Sequence, residues 1–202
     1  KIIRNGFFLR NSQHSFYRVF PCKYFIIIQK AQHSLVQIGI ITYINFVLRV
    51  GLINQRSVNR TVIIDCFAGK GKFDDRNKGS PLIIADLIRA FLESNGKDTN
   101  IRGLFIESTY AEELETNLRG YENCEVLSGT FEENIDKILA LNSRCNLFLY
   151  VDPYGIKCLD FQQFERIKAR NFSSLEMLLN FNSFGFLREG CRVLNLNYKG
   201  LF

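Results

Sequence analysis

The stretch from residue 61 to residue 81 constrains the fold of this chain more than any other. Its sequence, TVIIDCFAGKGKFDDRNKGSP, begins with a β-branched apolar run that ends at Asp65 and breaks into small residues. Such a run is typical of a buried parallel strand that leads into a ligand-binding loop. Ala68, Gly69 and Gly71 allow a backbone to approach a ligand closely. Asp65 places a carboxylate at the strand's C-terminal edge, where open α/β sheets bind ligands, so we interpret the stretch as a strand and a nucleotide-binding loop.

A helix is predicted directly after this loop. Ser80 and Pro81 form an N-cap and first-turn pair, and apolar residues then recur at helical spacing until Asn95 and Gly96 end the run. Residues 72–78 separate the glycines from this cap, whereas a dinucleotide-binding fingerprint runs straight into its helix. The spacing therefore disfavours an NAD-binding site.

Further strand and helix patterns follow in alternation. The predicted strands cover residues 101–107, 124–127, 146–151 and 176–181, with capping-box patterns at Thr109 and Glu112 and at Thr130 and Glu133, and a capping Asp160. This alternation predicts a doubly wound α/β domain with a mostly parallel sheet. Asp65, Glu107 and Asp152 each end a predicted strand, so we expect them on one edge of the sheet, around the ligand.

The N-terminal part differs from the rest of the chain in charge. Residues 1–60 contain nine Lys and Arg and no Asp or Glu, whereas the remaining residues are net −3. Because aromatic residues are interleaved with these charges, the arm is suited to follow a nucleic-acid backbone and to stack on bases. A basic helical subdomain, or a boundary segment that is not native sequence, explains the same composition. We predict a helical region at 1–57 and an α/β domain at 58–202.

The composition of 47% apolar and 23% charged residues over 202 positions fits a globular protein with one sizeable core. The run at 35–48 has 14 residues, fewer than the ~20 that a membrane span requires, and no secretory leader precedes it. Six scattered cysteines without a C-x-x-C pair favour reduced packing residues in a cytoplasmic protein, without a structural metal. The chain starts at Lys1 without a Met and ends in a strand or loop pattern, so its interpretation as a fragment, truncated at the C-terminal end, stays open.

Four motifs carry a resemblance to a known family. They are DCFAGKGKF with GSPL (65–82), LFIE (104–107), FLYVDPYGIK (148–157) and EMLLNFN (176–182). With them the chain resembles the class I S-adenosylmethionine-dependent methyltransferases, and more closely the three-Cys-motif partner protein family, over about residues 31–187. The resemblance implies a Rossmann-like methyltransferase fold, S-adenosylmethionine as cofactor, and a separate partner protein that carries the three cysteines.

The resemblance also implies which residues contact the cofactor. Residues around its methionine part would be Phe67, Ala68, Gly69 and Gly71, with Asp65 near the ammonium group and Glu107 on the ribose. After the third strand, methyltransferases often keep an Asp for the adenine amine. This chain has Thr130 there, whose hydroxyl forms hydrogen bonds but carries no charge.

Asp152, Pro153, Tyr154 and Gly155 are similar to the D-P-P-Y motif of enzymes that methylate exocyclic amines of bases, with one proline missing. In that chemistry the carboxylate accepts a hydrogen bond from the amine, and the aromatic ring stacks on the base. A Pro-Gly turn after a strand explains the same residues structurally. The sequence thus predicts a methyltransferase that acts on a nucleobase in DNA or RNA, and a non-catalytic cofactor-binding scaffold and a nucleotide-dependent oxidoreductase are the alternatives.

Overall fold

A parallel β-sheet covered by helices on both faces forms the core of the protein. The computed structural model describes residues 2–4, 7–9, 23–29, 60–95, 100–153, 160–182 and 191–194. Its strands are β1 (Ile2–Arg4), β2 (Phe7–Leu9), β3 (Lys23–Gln29), β4 (Thr61–Asp65), β5 (Ile101–Glu107), β6 (Cys124–Ser128), β7 (Asn146–Val151) and β8 (Ser174–Asn182). Its longer helices are α1 (Ser80–Asn95), α2 (Ala111–Leu118), α3 (Phe131–Leu139) and α4 (Phe161–Ala169).

Five neighbouring strands of the eight-stranded sheet run parallel to one another in the order β8-β7-β4-β5-β6. The chain moves outward from β4 through β5 to β6 and then returns past β4 to β7. The direction of the strand order therefore reverses between β4 and β7. Open α/β sheets bind their ligands at such a switch point, outside the carboxyl ends of the strands.

Alternate residues of these strands point to opposite faces, and two helices cover each face. Ile63 and Phe148 belong to a buried cluster with the apolar residues of α1 and α2. Ile64 and Leu149 belong to a second cluster with the apolar residues of α3 and α4. The predicted α/β class with a parallel sheet is confirmed, and the arrangement is consistent with a Rossmann-like fold.

The N-terminal region contributes three strands that the sequence did not predict. β3 pairs with β8 in parallel, and β1 lies antiparallel to both β3 and β2. The helix predicted at 35–48, and most of the predicted helical region at 1–57, lie outside the described residues. The helical region therefore stays a prediction.

The first helix begins one residue earlier than predicted. The backbone N–H of Ile83 donates to the carbonyl of Gly79 at 3.1 Å. Because the N-cap residue supplies the first carbonyl acceptor of a helix, Gly79 occupies the N-cap and Ser80 is the first helical residue. The structure describes this helix through Asn95, and the predicted stop at Gly96 lies outside the described residues.

Of the other three predicted helix starts, two are confirmed and one is wrong. Thr130 forms the predicted capping box, and the Asp160 side chain accepts a hydrogen bond at the start of α4. The capping box predicted at Thr109 and Glu112 is wrong, since α2 has Tyr110 at its N-cap and no side-chain cap bond. The N–H of Tyr110 donates instead to the side chain of Glu107 at 3.1 Å.

Four of the six cysteines lie among the described residues, and all four are free thiols: Cys66, Cys124, Cys145 and Cys191. Burial raises the pKa of Cys124 to about 12, so this thiol stays protonated at neutral pH. Cys22 and Cys158 lie outside the described residues. In the part of the chain that the structure describes, no helix has both the length and the apolar character to cross a membrane.

Candidate functional site

The loop after β4 begins with two hydrogen bonds that tie it to both neighbouring strands. The N–H of Cys66 donates to the carbonyl of Tyr150 on β7 at 2.9 Å. The N–H of Ala68 donates to the carbonyl of Ile106 on β5 at 3.0 Å. The chain therefore crosses the switch point just above the end of β4 before it leaves the sheet.

Two glycines shape the rest of this loop. Gly69 and Gly71 have φ angles of 64° and 87°, which side-chain-bearing residues rarely adopt. A Cβ atom at Gly71 would lie 3.0 Å from Cδ1 of Leu114 on α2. Asn117, also on α2, donates through Nδ2 to the carbonyl of Lys70 at 2.8 Å. The loop is thus held against α2 in a conformation that depends on glycine.

Residues 72–78, which separate the glycine loop from α1, form a small hairpin. Its ends, Lys72 and Lys78, pair as an antiparallel bridge. Directly below it, the N–H of Gly79 donates to the carbonyl of Gly71 at 2.8 Å. The insert closes on itself, and the chain returns to the glycine loop before α1 begins.

Glu107, at the end of β5, connects this loop to the start of α2. Its Oε2 accepts a hydrogen bond from the N–H of Gly69 at 2.7 Å. Its Oε1 accepts from the N–H groups of Thr109 and of the N-cap residue Tyr110 at 2.7 and 3.1 Å, just before α2 begins. A carboxylate has about four acceptor positions, so the three described bonds leave room for about one further donor.

Asp65 is completely buried at the end of β4. Its Oδ1 accepts from the N–H of Phe67 at 3.3 Å, and its Oδ2 has no hydrogen-bond partner among the described residues. Burial raises the pKa of Asp65 to about 7, and the charges of Asp152 and Glu107 raise it further, while Ser80 and Phe67 partly offset the rise. A buried carboxyl group that titrates near neutrality and keeps one oxygen without a hydrogen bond destabilises a fold, and such groups concentrate at functional sites.

Asp152 follows β7, across the switch point from Asp65, and is half-buried. The hydroxyl of Tyr150 donates to its Oδ2 at 3.0 Å. Tyr150 is only 1% exposed, and burial together with the charges of Asp152 and Asp65 raises its pKa well above the ordinary value. The phenol therefore stays protonated and acts as a hydrogen-bond donor.

Tyr150 was not identified from the sequence. In the run NLFLYV it resembles one more apolar strand residue, although a period of two places it on the same face as Asp152. This spacing is the one feature of the sequence that relates Tyr150 to Asp152. The position of Tyr150 beside Asp65 comes from the pairing of β4 with β7, which the sequence does not specify.

The remaining predicted site residues have different surroundings. Pro153 is buried beside Asp152, and Tyr154 lies outside the described residues. Phe67 is half-buried, with its ring 6.1 Å from that of Phe131 on α3. The hydroxyl oxygen of Thr130 accepts from the N–H of Glu133 at 3.2 Å as part of the helix cap. A contact between Thr130 and an adenine thus stays a prediction.

Fold and site together define an α/β protein with three carboxyl groups at the switch point of a parallel sheet, close enough for their charges to interact. Comparison of the chain with protein-family models and with curated proteins gives no match. Among the described residues, no three His, Cys, Asp or Glu side chains are grouped so as to hold a metal ion. The function has to be inferred from the chemistry of the site itself.

Proposed function

We propose that this protein binds S-adenosylmethionine at the switch point and transfers its methyl group to an exocyclic amine of a nucleobase in DNA or RNA. The observation that carries the proposal is the placement of Asp65, Glu107 and Asp152 on three strand ends around one glycine loop. The motifs in which these residues stand resemble those of the three-Cys-motif partner protein family, so a separate partner protein is part of the proposal.

The cofactor half of the site supports the proposal through charge and hydrogen bonding. The buried Oδ2 of Asp65, without a described partner, suits a cationic group such as the methionine ammonium, and a neighbouring cation favours the ionised carboxylate. Glu107 has capacity for a ribose hydroxyl in addition to its three backbone bonds. Gly69 and Gly71 have no side chain, so the backbone of the loop is open to close approach at these two positions.

The acceptor half of the site centres on Asp152. When bound, S-adenosylmethionine supplies an electrophilic methyl group on a sulfonium. Asp152 would accept a hydrogen bond from the amine N–H and so orient the nitrogen lone pair. Methylation of the nitrogen would release the amine proton, and Asp152 or water would accept it. Tyr150 holds the carboxylate of Asp152 throughout.

Titration calorimetry of the full chain with S-adenosylmethionine, S-adenosylhomocysteine and NAD tests the cofactor assignment. We expect the first two to bind and NAD not to bind. Transfer of labelled methyl groups to bulk DNA and RNA, with and without a partner protein, then tests the reaction. Failure of both sulfur compounds to bind would refute the proposal, and tight binding of NAD alone would favour an oxidoreductase.

A non-catalytic scaffold is the second candidate, and one observation favours it. Tyr150 already donates to Asp152, and Thr130 is part of a helix cap, so both polar groups have a role within the fold. A scaffold would bind S-adenosylmethionine and transfer no methyl group under any partner or substrate condition. Cofactor binding combined with transfer would exclude it.

A further inference from the structure

Three exposed aromatic side chains lie at the same edge of the sheet as the carboxyl groups. Phe73 is in the hairpin after β4, Tyr110 is in the loop after β5, and Phe161 begins the helix after β7. They are 41%, 51% and 62% exposed, and the other aromatic side chains whose burial the structure describes, all between residues 60 and 172, are buried or half-buried. Because all three follow the carboxyl ends of parallel strands, they lie around the candidate site.

The hairpin also carries positive charge toward solvent. Lys72 and Arg76 are exposed and have no ion pair within the described part of the chain. Of the acids in the hairpin, Asp74 pairs with Lys70, and Asp75 accepts two hydrogen bonds from Asn77.

The other loops at this edge carry the opposite charge. The first turns of α2 and α3 are acidic, with Glu112 and Glu113 on one and Glu132 and Glu133 on the other. Among the described loops at this edge, the hairpin is therefore the one that offers unpaired positive charge to a polyanion.

We propose that the surface formed by Phe73, Tyr110, Phe161, Lys72 and Arg76, here called the aromatic rim, binds single-stranded nucleic acid. The inference rests on the proposed function and specifies its substrate class. An aromatic face stacks on a base that has left its own helix, whereas the bases inside a duplex already stack on one another. A single strand therefore fits the rim, with bases on the rings and the backbone along the hairpin.

Fluorescence anisotropy with a labelled single strand of about 12 nucleotides, and with the duplex of the same sequence, tests this surface. We expect the single strand to bind more tightly than the duplex. Phe73→Ala, Tyr110→Ala and Phe161→Ala should each weaken single-strand binding by about fivefold to a hundredfold. Tyr121→Ala, which removes an aromatic side chain from the loop before β6, at the opposite edge of the sheet, is the control and should have no effect on single-strand binding.

The two basic residues of the rim are tested with a double variant, and a second double variant that also removes two positive charges is the control. The double variant Lys72→Ala/Arg76→Ala should reduce the slope of log affinity against log salt by about 1.4 for a single strand. Arg119→Ala/Arg144→Ala removes two exposed charges from the loops before β6 and β7, at the opposite edge of the sheet, and should leave this slope unchanged. The nine basic residues of 1–60 are present in every variant, so the comparison between variants isolates the rim.

Equal binding of duplex and single strand, or equal effects of the rim and control variants, would overturn the inference. Competition by polyglutamate as effective as that by the single strand would also overturn it, in favour of an acidic protein partner. Binding is measured without S-adenosylmethionine, so failure of cofactor binding refutes the proposed function and leaves the strand result standing. Thermal melting of each variant identifies any loss of binding that comes from unfolding.

Discussion

The hydroxyl of Tyr150 donates a hydrogen bond to Oδ2 of Asp152 at 3.0 Å. Tyr150 is on β7 and Asp152 follows directly after its last residue, so with one position between them the two side chains lie on the same face. The buried phenol fixes the orientation of the carboxylate at the mouth of the switch point. A ligand that donates to Asp152 meets an acceptor that is already oriented, which reduces the reorganisation needed on binding.

Tyr150→Phe tests this arrangement with the removal of a single oxygen atom. A hydrogen bond to a charged group contributes about 1.5 to 3 kcal/mol, so we expect kcat for methyl transfer to fall by about tenfold to a hundredfold. The affinity for S-adenosylmethionine should stay unchanged, because the phenol belongs to the acceptor half of the site. An unchanged kcat, measured with labelled cofactor, would show that Tyr150 has only a packing role.

Asp152→Ala separates an enzyme from a scaffold. Loss of one preorganised polar contact at a transition state costs about 2.7 to 4 kcal/mol, so transfer should fall about a hundredfold or more while cofactor affinity is nearly intact. Asp136→Ala, which removes an exposed carboxylate of α3 paired with Arg166, is the control and should transfer at the parental rate. Equal transfer by the two variants would contradict the role assigned to Asp152.

Asp65 should make the stability of the protein depend on pH. Its pKa is about 7 in the folded protein against an ordinary value of 3.8, so across this interval the folded state holds a proton that the unfolded chain releases. The free energy of unfolding therefore falls as pH rises from 3.8 to about 7. Over this whole pH range, the ionisation of Asp65 lowers the free energy of unfolding by about 4 kcal/mol.

Asp65→Asn removes this titration. We expect the variant to gain stability over the parent as pH rises toward 7 and to keep a constant advantage at higher pH. Urea unfolding at a series of pH values measures the difference, with the exposed substitution Glu115→Gln on α2 as control. A parallel pH dependence of parent and Asp65→Asn would show that the carboxyl group is not the source of the effect.

Glu107→Gln tests the ribose contact while keeping one side-chain acceptor for the backbone. Loss of a charge-assisted contact should weaken S-adenosylmethionine binding by about 1.5 to 3 kcal/mol, or roughly tenfold to a hundredfold. The melting temperature should also fall, because the amide nitrogen cannot accept the hydrogen bond from either Gly69 or the start of α2. Undiminished affinity in calorimetry would remove Glu107 from the proposed cofactor site.

Gly71→Ala and Gly120→Ala form a matched pair that isolates the packing of the loop against α2. Their φ angles are 87° and 90°, but a Cβ at Gly71 would meet Leu114 at 3.0 Å, whereas one at Gly120 meets nothing within 4 Å. The free energy of unfolding of both variants should fall by about 1 to 2 kcal/mol, because alanine is strained in a left-handed backbone conformation. Only Gly71→Ala should lose more, because of the contact with Leu114. Equal losses of the free energy of unfolding, measured with urea, would mean that the Leu114 side chain moves to accommodate the extra methyl group.

The sequence was sufficient to predict where most strands and helices of residues 60–182 begin and end. Strand β5 has the predicted bounds, and the caps at Thr130 and Asp160 are those expected. These features depend on interactions between residues a few positions apart, which a single sequence displays directly. Asp65, Glu107 and Asp152 were predicted at one edge for the same reason, since each follows an apolar strand run.

Only the tertiary structure decided which of these groups contact one another. Glu107 accepts hydrogen bonds from the N–H groups of Thr109 and Tyr110 before α2 and from the N–H of Gly69, 38 positions away in the chain, whereas the local capping box expected at Thr109 did not form. The strand order placed Tyr150 beside Asp65, and burial there raised the pKa of Asp65. Strand pairing and desolvation depend on how distant segments pack, because both faces of the sheet must be covered at once. The local periodicity of the sequence does not specify that packing. The sequence therefore determined the strands and helices, and the tertiary structure determined which groups form the site.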